Sequence, residues 1–264
     1  PTTGRFIHPD PLNGKYPHLS SYLYCAGNPI NATDPSGLAV IYDMNGAYVG
    51  TSEEGFSGGI YIYNGTINID FSKYKEAELK KLKFVKEMGE VGKDLSLGAK
   101  LAIFNHVIAH FNGTYIYDEK FDTSRLEGGR IHYKRDNDKG TIWTTIFYQG
   151  ENDIIIYPDP PKVRWANDFS MFYEATVENI ASSVLVHEWY SHGLKHNSDR
   201  MKSHRLALKN VINWKALWNK TTDKYKGAVM KQLQYYTEKE TGRSVVDALY
   251  RNLYNKYIKY FNIK

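Results

Sequence analysis

The sequence has almost no cysteine. Cys25 is the single one among 264 residues, so no disulfide can form within the chain and a disulfide-stapled fold is excluded. One thiol is also too few for the thiolate cluster of a structural zinc module. A metal site in this chain would therefore have to use histidine, aspartate or glutamate side chains.

Long apolar runs are absent as well. The best stretch, residues 182–186, is far shorter than the ~18 apolar residues that a membrane-spanning helix needs. No basic segment followed by an apolar core marks a signal peptide. Because the chain begins at Pro1 and not at methionine, we expect a fragment or a processed product, and its export would depend on a segment outside it.

Charge of one sign is not concentrated in any segment. The 34 basic and 29 acidic residues leave a net charge of +5, and the lysines are scattered. This mild basicity is weak support for nucleic-acid binding. The length allows one large domain or two unequal ones, and the 22 tyrosines favour some β-sheet.

The pattern along the chain predicts an α+β fold, with a small antiparallel sheet and a mostly helical C-terminal half. Residues 39–71 alternate between glycine-containing turns, which is typical of short hairpins. Helical spacing predicts helices over 73–88 and 95–111. Further strands are predicted near 115–117, 129–133, 141–148 and 153–157. After a proline-rich break, helices are predicted near 171–195, 203–218, 221–238 and 244–260.

Residues 1–38 are dense in turn formers and carry an ordered set of motifs. They are P-T-T-G-R-F at 1–6, Asp10-Pro11, Y-L-Y at 22–24, N-P at 28–29 and D-P-S-G-L at 34–38. The set resembles the end of an Rhs (YD-repeat) core, which in that family forms a hollow β-shell around a variable C-terminal toxin. We therefore expect a core tail over 1–38, a β-hairpin linker region over 39–75, and a toxin domain with a metal site over 76–264.

The same resemblance implies a self-cleavage site. Members of the family often cleave themselves just after the D-P-x-G-L motif, and two aspartates are implicated. Carried over, the scissile bond follows Leu38, and Asp10 and Asp34 are the candidate acids. The first motif here reads D-P-L-N-G, one residue longer than the usual D-P-x-G form. In the alternative interpretation both aspartates only cap turns, since Asp-Pro commonly opens a turn.

The motif that points to chemistry is H-E-W-Y-S-H, which runs from His187 to His192 after an apolar lead-in. In the zincin signature H-E-x-x-H, two histidines on one helical face bind zinc, and the glutamate acts as general base toward a water molecule. Here the histidines are five residues apart, which on a regular helix separates them by about 140°. Both can reach one metal ion only if the helix widens into a π-bulge or ends between them.

Two resemblances accompany this motif. The dipeptidyl peptidase III family has the same H-E-x-x-x-H spacing and binds zinc through both histidines, although that family's further ligand motif is absent here. Residues 187–193, H-x-x-A at 204–207 and W-x-K-T-T at 218–222 resemble the C-terminal domains of Bacteroidetes-type Rhs proteins, which are regarded as metallopeptidases. This second resemblance implies zinc ligands His187, His192 and His204, with Glu188 as general base. Ser191 stands where that pattern usually has glycine.

Other assignments remain open from the residues alone. On a regular helix Glu188, His192 and His196 form one stripe, and Glu188 would then be a ligand. Asp199 is a further candidate for an oxygen ligand. Without a metal, Glu188 and His192 would simply pair at i,i+4 on a surface helix. Tyr190 is a possible transition-state stabiliser, although among 22 tyrosines a structural role is the commoner one.

These motifs together predict a secreted antibacterial toxin of Rhs type that acts as a zinc-dependent metallopeptidase. The resemblance implies an Rhs core shell, a cognate immunity protein and a protein or peptide substrate in a target cell reached through a bacterial secretion system; no DNA is expected. Two other classes stay open. One is a nuclease toxin, although no HNH-like or PD-ExK-like arrangement is found. The other is a non-enzymatic binding or pore-forming toxin whose histidines are structural.

Overall fold

The computed structural model describes residues 39–53, 55–91, 94–122, 132–133, 143–148, 151–156, 175–195, 198–243 and 248–261. The chain divides into two units, Pro1–Ser36 and Gly37–Lys264. The self-cleavage predictions for Asp10, Asp34 and Leu38 lie outside the described residues, as does the alternative ligand His196.

A four-stranded sheet with the order β2-β1-β3-β4 forms the N-terminal part of the described chain. Its strands are β1 (Ala39–Asp43), β2 (Tyr48–Thr51), β3 (Gly59–Tyr63) and β4 (Val85–Glu87). β1 and β2 are antiparallel, but β1 and β3 are parallel, so the prediction of a purely antiparallel sheet is wrong. The reason is that β1 and β3 are apolar on both faces and take the two central positions. β2, with Tyr48 and Val49 exposed, lies at an edge.

The two faces of this sheet enter two different hydrophobic clusters, because successive side chains of a strand point to opposite faces. Val40, Tyr42, Ile60 and Ile62 belong to the main core. Ala39, Ile41, Tyr61 and Tyr63 pack in a second cluster with Phe71, Leu79 and Val85. Both faces of the central strands are therefore buried.

The single helix predicted over 73–88 is not formed. The structure has a 3₁₀ turn (Phe71–Lys73), a short α1 (Glu76–Leu79), strand β4 and a short α2 (Met88–Val91). Val85 pairs with Tyr63 and is buried in the second cluster. Burial of this strand against the sheet outweighs the weak helical propensity of the segment.

The remaining elements follow the predicted order. They are α3 (Leu97–His110), the hairpin β5 (Tyr115–Ile116) and β6 (Glu119–Lys120), and the strands β7 (His132–Tyr133), β8 (Trp143–Tyr148) and β9 (Glu151–Ile156). α4 (Val177–Ala181) continues into a π-helix (Ser182–Leu194), followed by α5 (Arg200–Asn213), α6 (Lys215–Trp218), α7 (Asp223–Thr241) and α8 (Ala248–Phe261). The fold is α+β with a mostly helical C-terminal half, as predicted.

The π-helix runs through the main core. Val184, Leu185, Val186 and Trp189 are fully buried and share this core with β1, β3, α3, α5 and α7. The domain boundary placed after residue 75 stays a prediction, but β1 and β3 pack in the same core as the π-helix. Within the described segments, no helix combines the length and the hydropathy that crossing a bilayer requires.

Candidate metal centre

The helix that carries the H-E-x-x-x-H motif is anchored at its start. The Thr176 hydroxyl accepts a hydrogen bond from the Asn179 amide at 3.1 Å and caps α4. The buried Glu178 carboxylate accepts the Gly58 amide at 2.9 Å and also the Ser57 hydroxyl. These bonds tie the helix to the residues that precede β3, so the position of the motif is set by the sheet.

The helix is wide where the motif lies. From Ser182 to Leu194 it is a π-helix, in which hydrogen bonds join residues five apart and bring them to nearly the same face. His187 and His192 are therefore on one side, and of the two arrangements that the spacing allowed, a widened helix or one that ends between the histidines, the structure has the widened helix. The Ser191 hydroxyl donates to the Val186 carbonyl at 2.6 Å and accepts from the Asn210 amide group at 3.0 Å. Ser191 stands where the motif of the Rhs-type C-terminal domains usually has glycine, and its hydroxyl adds a hydrogen bond across the wide turn.

Three histidines converge beside this turn. His192 Nε2 lies 3.2 Å from His187 Nε2 and 3.1 Å from His204 Nδ1, and the three nitrogens all lie within 4.8 Å of one another. Zinc–nitrogen bonds of about 2.0–2.1 Å in a tetrahedral site put two ligand nitrogens about 3.3 Å apart. Both distances from His192 match that spacing, and the three side chains lie close enough to bind a metal ion.

Ser203, which sequence reasoning missed, orients the central histidine. Its buried hydroxyl lies 3.0 Å from His192 Nδ1. If that nitrogen carries the proton and donates to the hydroxyl, Nε2 keeps its lone pair toward the cluster, as a metal ligand must. Serine just before His204 gives no recognisable sequence signal, because its role depends on how α5 crosses the π-helix.

Burial keeps the outer two histidines neutral. Desolvation is the main cause that lowers the pKa of His187 well below its usual value, and the neighbouring His192 and His204 add to it. Burial likewise lowers the pKa of His204 to about 4, with a further contribution from the Arg200 charge. Neutral imidazoles at pH 7 have lone pairs for a metal. Among the described residues, His187 Nδ1 is buried without a hydrogen-bond partner.

Glu188 lies next to the cluster. Its Oε1 is 4.0 Å from His187 Nε2, and both side chains are buried. That distance is too long for a direct hydrogen bond, so the carboxylate lies beside His187 without bonding to its Nε2. The alternative stripe of Glu188, His192 and His196 requires a regular α-helix, which the π-helix is not.

Tyr236 of α7 is a second residue that sequence reasoning missed. Its ring stacks on His204, with the ring centroids 4.6 Å apart and the planes at 18°. Burial is the main reason that the pKa of its hydroxyl is raised; the Glu188 carboxylate adds to the rise, and the Arg200 charge opposes it. Nothing in the sequence singles it out, because it comes 32 residues after His204 and is one of 22 tyrosines.

The other candidates make different contacts. The Tyr190 hydroxyl donates to Asp118 at 3.0 Å, and its ring packs on Tyr117 with centroids 5.0 Å apart. These contacts join it to the β5–β6 hairpin, and its catalytic role stays a prediction. Asp199 is exposed and caps α5 by accepting two backbone amides at 3.0 and 3.1 Å. Among the described residues it is not part of the histidine cluster.

Another histidine pair lies on α3. His106 Nδ1 is 3.1 Å from the Tyr42 hydroxyl, and His110 stacks on Phe56 with centroids 4.2 Å apart. No third metal-ligating side chain joins this pair among the residues that the structure describes. The pair therefore offers control variants for the histidine cluster.

Comparisons with protein-family models, with curated proteins and with solved structures found no match. The described site is a candidate three-histidine metal centre with an adjacent carboxylate.

Proposed function

We propose that this chain is a zinc-dependent hydrolase, and specifically the metallopeptidase toxin of an Rhs-type protein. The observation that carries the proposal is the convergence of His187, His192 and His204 beside the buried carboxylate of Glu188. The geometry supports the hydrolase, and the motif resemblance supports the toxin context.

The donor set fits zinc better than the harder cations. Neutral imidazoles suit zinc, whereas magnesium and calcium prefer oxygen ligands. Three protein ligands with an open position are typical of catalytic zinc, whereas structural zinc has four. The cluster has three members among the described residues. Bound zinc would polarise a substrate carbonyl and lower the pKa of a water molecule.

Glu188 is then the general base. Its carboxylate lies beside the ligand nitrogen of His187 without bonding to it, so it is placed to take a proton from an attacking water molecule. Two of the ligands, His187 and His192, and the base Glu188 lie on one helix, which differs from the zincin helix in its π-helical turns. We propose that this helix, like the zincin helix, presents two histidine ligands and the base to one metal ion. The wider turn compensates for the longer spacing between His187 and His192.

A peptide substrate is favoured by the strand beside the π-helix. In the three-stranded sheet of the order β7-β9-β8, β8 pairs with β9 on one side, and no described strand pairs with its other side. β8 also contacts the π-helix. An edge strand next to a hydrolytic site can bind an extended peptide through main-chain hydrogen bonds.

The toxin setting adds partners and a location to the proposal. By the resemblance of residues 1–38, an Rhs core shell encloses the enzyme, a secretion system delivers it to a target cell, and an immunity protein protects the producer. Cleavage after Leu38, with Asp10 and Asp34 as acids, would release it. This setting rests on motif resemblance and not on the geometry of the histidine cluster.

The function is tested on the purified full chain. We expect it to retain one zinc ion and to cleave fluorescein-labelled casein or members of a quenched peptide library. Chelation should stop the cleavage, and added zinc should restore it. A chain that binds no zinc, or cleavage that survives chelation, would overturn the proposal. Degradation of nucleic acid with casein left intact would favour the nuclease class.

Ser203→Ala should weaken zinc binding about 10–100-fold, the usual cost of losing a hydrogen bond to a metal-ligating histidine. The reason is that the His192 ring loses the group 3.0 Å from its Nδ1. Competition with a chromophoric chelator measures the change. Ser72→Ala, which removes an exposed hydroxyl, is the matched control. Equal zinc affinity in both variants would show that Ser203 does not fix the His192 ring.

A further inference from the structure

The ring of Tyr236 packs against His204, one of the three histidines of the candidate metal centre. The two rings are stacked, with their planes at 18° and their centroids 4.6 Å apart. The Tyr236 hydroxyl interacts electrostatically with the Glu188 carboxylate and with the Arg200 guanidinium. The same side chain thus contacts a candidate ligand and lies within electrostatic range of the proposed general base and of a positive charge.

This hydroxyl is available for a substrate. It forms no hydrogen bond with any described residue. It is also not one of the fully buried polar atoms that lack a hydrogen-bond partner. The ring is only partly buried and packs against the edge of the main core. A neutral phenol is a hydrogen-bond donor, so substrate binding would give this group the partner that it lacks.

Tyr190 differs in this respect. Its hydroxyl already donates to Asp118 at 3.0 Å, and the Lys195 ammonium lies 5.5 Å from its ring centroid. Donation to an oxyanion would require breaking the bond to a carboxylate, which is stronger than a bond between neutral groups. Of the two tyrosines, Tyr236 is therefore the one with a free donor near the base.

We propose that Tyr236 is a catalytic residue that donates a hydrogen bond to the oxyanion formed during hydrolysis, and that the nearby charge of Arg200 reinforces it. This inference rests on the proposed function. It assigns to Tyr236 the stabilising role for which the sequence offered Tyr190.

The step balances without a further reagent. The water oxygen forms a bond to the carbonyl carbon, and one water proton passes to the Glu188 carboxylate. The C=O π pair moves onto the carbonyl oxygen, which becomes the oxyanion that the Tyr236 hydroxyl hydrogen-bonds. When the pair returns, the C–N bond breaks and the proton on Glu188 passes to the leaving amine. Tyr236 keeps its own proton throughout.

Tyr236→Phe separates this role from a structural one, because phenylalanine keeps the ring against His204 and removes only the hydroxyl. On the best-cleaved quenched peptide, kcat should fall about 10²-fold, as for loss of one oxyanion donor, while KM and zinc affinity stay at the wild-type values. Calorimetry gives a readout without turnover: a phosphonate analogue of that peptide should bind the variant about 10²-fold more weakly. Tyr235→Phe, on the exposed neighbour, is the matched control.

The possible results of these measurements distinguish the proposed role of Tyr236 from the alternatives. Wild-type kcat and phosphonate affinity in Tyr236→Phe, with metal-dependent cleavage by the parent chain, would overturn this inference and leave the hydrolase standing. A fall in zinc affinity equal to the fall in kcat would make Tyr236 a structural support and also overturn it. The large loss appearing in Tyr190→Phe instead would return the role to Tyr190. A parent chain without zinc or cleavage would overturn both proposals.

Discussion

Glu188→Gln should abolish most hydrolysis while the chain still binds zinc. The amide is nearly isosteric with the carboxylate but cannot accept a proton at neutral pH, so kcat should fall by about 10²–10⁴-fold, the range for loss of a general base. Zinc affinity should change little, because Glu188 lies 4.0 Å from the His187 ligand nitrogen and the three histidines remain. Turnover of the best quenched peptide and zinc titration on the same preparation measure the two quantities.

Glu238→Gln is the matched control for that change. Glu238 is exposed on α7, so the variant should keep wild-type turnover. Loss of both turnover and zinc in Glu188→Gln would identify Glu188 as a ligand, which is the alternative that a regular helix would have favoured. Full turnover in Glu188→Gln would exclude it as the base.

His192→Ala should have the largest effect on metal binding. His192 is the central member, since its Nε2 approaches both His187 and His204 at 3.2 and 3.1 Å. Its removal leaves two ligands for a site that needs three. We expect zinc affinity to fall well beyond the about 10–100-fold that loss of a hydrogen bond to a ligating histidine costs, and metal-dependent turnover to disappear with it.

The control for His192→Ala is His110→Ala, on the exposed end of α3. This variant removes an imidazole that stacks on Phe56 and should keep one bound zinc ion per chain. Zinc content by mass spectrometry and affinity by chelator competition distinguish the two variants. Wild-type zinc affinity in His192→Ala would exclude the three-histidine centre and favour structural histidines.

The backbone of the site could be predicted from one number, the spacing of His187 and His192. Five residues do not fit one face of an α-helix, and the observed π-helix is one of the two solutions that the spacing allowed. His204 followed from motif resemblance and not from spacing, and the structure brings it to the other two. Sequence periodicity alone could not choose between His204 and His196.

The positions of Ser203 and Tyr236 could not be predicted, because their roles arise where helices cross. Ser203 meets His192 across the α5 contact, and Tyr236 meets His204 from α7. Neither contact leaves a periodic or compositional signal. The same limit explains the sheet: alternation predicted that β1 and β3 are strands, but their parallel pairing depends on burial of both faces.

The closeness of the three histidines along the chain has a consequence for how the proposed metal ion would be bound. His187 and His204 are separated by 17 positions, so bringing them together closes a short loop at a small loss of chain entropy. β1 and β3, by contrast, come from the N-terminal part of the described chain and share the main core with the π-helix. In the proposed zinc enzyme, a partly folded C-terminal half would therefore be able to bind the metal ion, and the metal-closed loop would favour formation of the helices around it.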